Sequence, residues 1–237
     1  MRLIIINKRT LIIFSIALVL IILTLVSTLV YNRVEETFNS DVYYQGNIDE
    51  KIIAFACNVD WGNEHIPYML KIFKDNNIKI TFFVTGRWAE KNEEILKSIY
   101  ESGHEIGNHG YNHMDYDKLS YERNKEEIGK AHNIIKEILD IDSKYFAPPS
   151  GAYNDNTIKA SKDLGYDLIM WSIDTIDWRK DSTKDIIVRR VTEKLHKGAI
   201  VLMHPTEETV KALPDIINNL YKNGYRIGKI SDVIKSN

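Results

Sequence analysis

The sequence holds a single cysteine, Cys57, in 237 residues. That excludes an intramolecular disulfide and any cysteine-rich zinc module. An excess of one charge is missing too. With 31 Lys and Arg against 33 Asp and Glu, nucleic-acid binding driven by phosphate contacts is not expected. There is no HExxH pattern, hence no zincin helix, and no internal repeat or low-complexity tract. Proline is scarce, at five, yet two of the five are adjacent, Pro148-Pro149, which marks a rigid loop. What is present, 27% charged and 44% hydrophobic residues, is the composition of a globular chain.

One stretch lacks charge altogether. Residues 11–31 read LIIFSIALVLIILTLVSTLVY, and as a helix they would span roughly 30 Å, the thickness of a bilayer core. Arg2, Lys8 and Arg9 precede the run, while Arg33 is soon followed by Glu35 and Glu36. The positive-inside bias then keeps the N-terminus in the cytoplasm. The expectation is a single-pass protein of the cell membrane. Residues 1–10 are a short cytoplasmic N-terminus, 11–31 an uncleaved transmembrane signal-anchor, 32–49 a polar stalk and 50–237 one extracytoplasmic domain. A cleaved signal peptide is the alternative, disfavoured by the length of the run and by the poor cleavage site at Leu29-Val30-Tyr31.

After the stalk, two hydrophobic periods alternate. Strand-length apolar runs fall at Ile52–Cys57, Lys79–Val84, Tyr166–Trp171 and Ala199–Met203. Amphipathic helical patterns fall at Asn63–Asp75, Glu90–Ser102, Ser120–Leu139, Asp155–Leu164, Thr183–His196 and Glu207–Asn223. Gly103, Gly165 and Gly224 sit where helix C-caps belong. Strand–helix alternation predicts an α/β fold on a mainly parallel sheet, either a barrel or an open sheet. In both, chemistry gathers at the C-terminal strand ends. Polar clusters do follow the apolar runs: Asn58 to Asp60, His109 with His113, Asp174 with Asp177, and His204.

In GNHGYNH, His109 and His113 are four apart, a spacing at which two imidazoles can share one divalent ion. The Gly- and Asn-rich context favours a loop, and hydrogen-bonded turn histidines are the plainer alternative. His204 closes the strand of AIVLMHP, as a catalyst or as a hydrogen-bonded strand end. Asp177, followed by Trp178, would raise the pKa of an imidazole it contacted and fix its tautomer; it could equally cap a helix. FAPPSGAYN could aim backbone N–H groups at an oxyanion or simply turn the chain.

The order of these segments resembles a known family. AFACNVDWG, HGYNH, FAPPSGAYN, IDTIDW and VLMH, with flanking TFFVTGRW and GHEIGNH, are similar to the successive motifs of the polysaccharide deacetylases. These are also called carbohydrate esterase family 4, or the NodB-homology domain. The resemblance covers residues 51 to about 230. It implies a distorted, incomplete (β/α) barrel that removes acetyl groups from an N-acetylated envelope polysaccharide such as peptidoglycan or a chitin-like glycan. It implies a divalent metal, zinc first, held by His109, His113 and Asp60, with His204 as general acid and Asp177 as its partner. Trp178 and Leu202 would wall the acetyl methyl, and Pro149 and Ser150 would also touch substrate.

Two departures lie at the centre of the expected chemistry. Where the family has adjacent base and ligand aspartates, this chain has Asn58 and Val59, leaving Asp60 as the nearest carboxylate. Asn cannot take a proton near neutral pH and Val cannot ligate. In the third motif the family's arginine is Ala147. A membrane-anchored, metal-dependent deacetylase is therefore the first expectation. A catalytically altered glycan-binding pseudoenzyme of the envelope is the alternative.

Overall fold

The computed structural model describes residues 8–9, 17–27 and 42–235. The chain divides into residues 1–40 and residues 41–237. In the first part, residues 17–27 are helical (α1). No helix among the described residues is long and apolar enough to cross a membrane. The rest of the expected 11–31 anchor, and the stalk up to residue 41, lie outside the described residues.

The second part is built on β1 (Val42–Tyr43), β2 (Ile52–Val59), β3 (Thr81–Val84), β4 (Glu105–Asn108), β5 (Tyr145–Phe146), β6 (Asp167–Ile169), β7 (Ile173–Asp174), β8 (Ile200–Met203) and β9 (Arg226–Gly228). Their order is β1-β6-β5-β4-β3-β2-β8-β7, with β9 also beside β2. Every pairing is parallel, and helices make the crossovers. The crossover helices are α2 (Ile66–Asp75), α3 (Gly86–Lys91), α4 (Glu93–Glu101), α5 (Tyr121–Leu139), α6 (Asp155–Asp163), α7 (Lys184–Thr192) and α8 (Glu207–Lys222), and a short α9 (Ile230–Val233) follows β9. The result is the curled, incomplete parallel barrel that the sequence led one to expect.

β2 explains why. All eight of its residues are buried, as a parallel strand covered on both faces requires. Ile53, Phe55, Cys57 and Val59 pack with Met69, Phe73 and Leu213 between sheet and helices. Ile52, Ala54 and Ala56 face the other way, against Phe83, Ala147 and Ile200 on the inside of the curl.

Three expectations need correction. The stalk stops short of residue 49, because Val42–Tyr43 pairs with β6 and Gly46 N–H donates to Gly198 O at 2.7 Å. A two-residue strand has no period to betray it. The single helix expected over Glu90–Ser102 is two, α3 and α4, broken at Asn92, where φ is −137°. α3 begins earlier than expected because Thr85 Oγ1 accepts the Trp88 N–H. The remaining helices lie within about a turn of their expected bounds, and Gly103, Gly165 and Gly224 take the positive φ of helix ends.

His104 sits in this core, edge-on to Phe73 and Phe82, and its Nδ1 accepts the Ile80 N–H. Burial, then Lys79, pushes its pKa from 6.5 down to about 4. The unfolded chain therefore binds the proton first as pH falls. The contribution of neutral His104 is intact above pH 6.5 and is lost between 6.5 and 4, by up to about 1.4 kcal/mol per pH unit. Urea unfolding across this range should show that slope, and a His104→Gln chain should show a shallower one. Equal slopes would rule His104 out as the source.

Candidate functional site

Loops at the C-terminal ends of the strands enclose a cavity of about 400 Å³. It is lined by Asn58, Asp60, Trp61, His109, His113, Ser150, Trp171, Asp174, Trp178, Leu202 and His204. Seven of the residues expected to act by chemistry or by ligand contact thus meet in one place with Asn58. Pro149 does not join them. It is buried within the turn Pro149–Gly151, while Ser150, at φ 57°, is the residue of that turn that lines the cavity.

His204 and Asp177 form the best-ordered part. His204 Nδ1 donates to Asp177 Oδ1 at 2.7 Å, and the His204 backbone N–H donates to Oδ2 at 2.7 Å. Thr209 Oγ1 adds a hydrogen bond to the same Oδ2 at 2.5 Å. Asp177 is buried, so it stands behind the imidazole rather than in the cavity, and Nε2 is the nitrogen left for a ligand. Trp61 stacks on the His204 ring with the planes 5° apart. Asp177 is aimed by a strained loop. Ile176 has φ 51°, unusual for a β-branched residue, and is held by Ser182 Oγ donating to its carbonyl at 2.6 Å. Arg190 braces the same loop through Thr175 O at 2.7 Å.

The HGYNH segment is a loop after β4, as its composition suggested. Asn108 Oδ1 accepts the Gly110 N–H, and its Nδ2 donates to Ile128 O and Tyr166 Oη. Buried Glu127 accepts the backbone N–H and the side-chain amide of Asn112, both at 2.9 Å, and is paired to Arg123. These residues fix the histidines without touching the cavity. His109 Nδ1 lies 2.7 Å from Ala147 O. A carbonyl only accepts, so Nδ1 carries the hydrogen and the Nε2 lone pair stays available. Burial, then His113, pushes the His109 pKa down to about 3, leaving a neutral ring. His113 meets it edge-on with the ring centres 5.2 Å apart.

The first motif differs from what was expected. Strand alternation sends Val59 into the helix-facing core, away from the cavity, while Asn58 and Asp60 line it. Asp60 is already engaged. Its Oδ1 accepts from Thr85 Oγ1 at 2.6 Å and Arg87 Nε at 2.8 Å, and its Oδ2 pairs with Arg87 Nη2. Burial raises its pKa, but the Arg87 and Thr85 hydrogen bonds outweigh burial and leave it below the ordinary carboxylate value. Asp60 is a fixed anion with both oxygens spoken for.

That corrects the expected metal set of His109, His113 and Asp60. Among the described residues no group of three or more His, Cys, Asp or Glu is placed to hold a metal. Two imidazoles remain, short of the three protein ligands of a catalytic zinc site, and the donors present do not fit the expected ion. Arg87, Thr85, Trp61 and Trp171 were missing from the expected site. The i+27 spacing of Arg87 from Asp60 gives no sequence signal, because only the β2–β3 pairing brings them together.

A family model described as polysaccharide deacetylase matches residues 45–169. The chain belongs to the polysaccharide deacetylase family. Among family relatives, it is 37% identical to the uncharacterized protein YlxY of Bacillus subtilis, over 87% of this chain and 66% of that one. This chain therefore spans just under two thirds of YlxY. It is 30% identical to the peptidoglycan-N-acetylmuramic acid deacetylase PdaA of Bacillus subtilis, over 82% of this chain and 75% of PdaA. Among solved structures of the family, it is similar to BA3943 of Bacillus anthracis, described as a carbohydrate esterase family 4 pseudoenzyme. That match has TM-score 0.79 and 37% identity, and covers 82% of this chain and 70% of that one. A mutant of that pseudoenzyme is described as having restored enzymatic activity.

If the Arg87 clamp keeps Asp60 from completing a family-type metal set, removing it should complete the set. Arg87→Ala is expected to raise zinc affinity by about tenfold or more, read by calorimetric titration of both proteins. Unchanged affinity would show that the clamp is not what holds Asp60 back.

Proposed function

We propose that this chain is a glycan-binding pseudoenzyme of the cell envelope, which holds an acetylated polysaccharide in the cavity without hydrolysing it. One observation carries this reading: Asp60, the sole carboxylate left in the first motif, has both oxygens committed to Arg87 and Thr85. No aspartate stands at the base position, where Asn58 cannot accept a proton, and the three-ligand metal set is incomplete. The printed description of BA3943 as a pseudoenzyme supports the same reading.

The binding half of the site is intact. Trp178 is 60% exposed and Trp61 45%, and both border the cavity with Trp171 and Leu202. Indole faces left in water around a concave polar site mark a binding surface, and pyranose rings offer flat C–H faces to stack on them. The tether expected over residues 11–31 would hold this module outside the membrane, which protease accessibility in intact cells would check.

A second reading is residual hydrolysis, favoured by the ordered His204–Asp177 pair. His204 Nε2 faces the ligand space, but Asn58 stands where the family's base aspartate would activate the attacking water. Purified chain incubated with acetylated chitooligosaccharides and peptidoglycan is expected to release no acetate, with or without added zinc. Binding by calorimetry should survive chelator, and Trp178→Ala should weaken it by about fivefold to tenfold. Chelator-sensitive acetate release would replace the binding reading with the hydrolytic one.

A further inference from the structure

We propose that the Asn58 carboxamide sets the specificity of the cavity by accepting the N–H of a bound acetamido group, so that the site takes 2-acetamido sugars over sugars carrying acetyl esters. The proposal deepens the glycan-binding reading above and rests on it. Asn58 is only 5% exposed, at the C-terminal end of β2. Its Oδ1 is buried and receives no hydrogen bond from any protein group. Five such atoms occur among the described residues, and Asn58 alone of their owners lines the cavity. A buried acceptor without a donor is costly, so a native one calls for an explanation.

The carboxylates nearby already hold hydrogen bonds. Asp60 is held by Arg87 and Thr85, Asp177 by His204 and Thr209, and Asp174 Oδ1 accepts the Ile176 N–H at 2.7 Å. Asn58 differs from them, and from the open Nε2 atoms of His109 and His204, in carrying a buried oxygen with no donor at all. Its Oδ1 is buried and its terminal torsion is broad and roughly two-fold, so a ligand N–H reaches the oxygen once the carboxamide turns over. An acetamido group brings a methyl, a carbonyl and an N–H. Leu202 and the indole of Trp178 supply an apolar wall for the methyl, and Asn58 answers the N–H. An acetyl ester supplies the same methyl and carbonyl but leaves Asn58 orphaned. Sites built to hydrogen-bond an N–H reject the analogue that lacks it.

The test is a calorimetric comparison on the purified full chain. One ligand is tetra-N-acetylchitotetraose and the other cellotetraose bearing 2-O-acetyl esters, neutral oligomers with the same β-1,4 backbone. The wild-type chain should prefer the first by about tenfold or more, and Asn58→Ala should shrink the preference to about threefold or less. Its melting temperature should stay level or rise, since an orphaned acceptor has gone. A wild-type chain that binds both oligomers equally overturns the assignment without any variant. An undiminished preference in Asn58→Ala overturns it as well. A folded wild-type chain that binds neither oligomer overturns the glycan-binding reading itself, an outcome distinguishable from the other two.

Discussion

Everything at the cavity depends on how β2 is buried. Flanked by β3, β8 and β9 and covered on both faces, it cannot slip by one residue without sending Phe55 and Ile53 to the wrong side. Its alternation is therefore rigid at its end as well as in its middle. Asn58 and Asp60 must face the cavity, and Val59 must face the helices. Alignment by motif alone placed a missing metal ligand at Val59. The pleat of the strand shows that this side chain belongs to the core, and that the chemical question turns on Asn58 and Asp60.

Two aspartates in the same cavity region have opposite environments and opposite consequences. Asp177 is buried and points its charge at an imidazole, a backbone N–H and a hydroxyl, which orients His204 toward the ligand space. Asp60 spends its charge on a guanidinium and a hydroxyl, which turns it into a joint between the β2 and β3 loops. A second joint follows, to the β8 loop: Gly62 has φ 83°, and a Cβ there would run into the Pro205 carbonyl. The loops carrying Trp61 and His204 are thus locked against each other. The locking suits a preformed binding cavity, in which little ordering remains for a ligand to bring about.

Much of this was legible before any coordinates. Four strands announced themselves as short apolar runs and the helices between them by period, and His109, His113, Asp177 and His204 by their place after apolar runs. What could not be read has identifiable causes. β1, β5 and β7 are two residues long, too short for any periodicity, so the strap at Val42–Tyr43 passed for stalk. β4 is EIGN, with one large apolar residue. Arg87 lay between the apolar run ending at Val84 and the helical pattern starting at Glu90, and nothing local ties it to Asp60. Pro149 sat in the right motif, but the left-handed turn at Ser150 decides which residue of that loop faces the ligand.

The substitutions in this site are physically coherent as a set. An arginine buried against a base aspartate becomes a liability once that aspartate is an asparagine, because breaking a buried ion pair costs about 3–5 kcal/mol. Here the arginine position is Ala147, buried among Ala56, Phe83 and Ile169, with its carbonyl still accepting from His109. No guanidinium is left unpaired at that position, and His109 Nδ1 has a carbonyl to donate to. The charge of Asp60 is likewise matched, by Arg87. A site that had merely lost function would carry orphaned partners of the missing groups. Among the residues lining the cavity, this one retains a single orphan, the buried oxygen of Asn58.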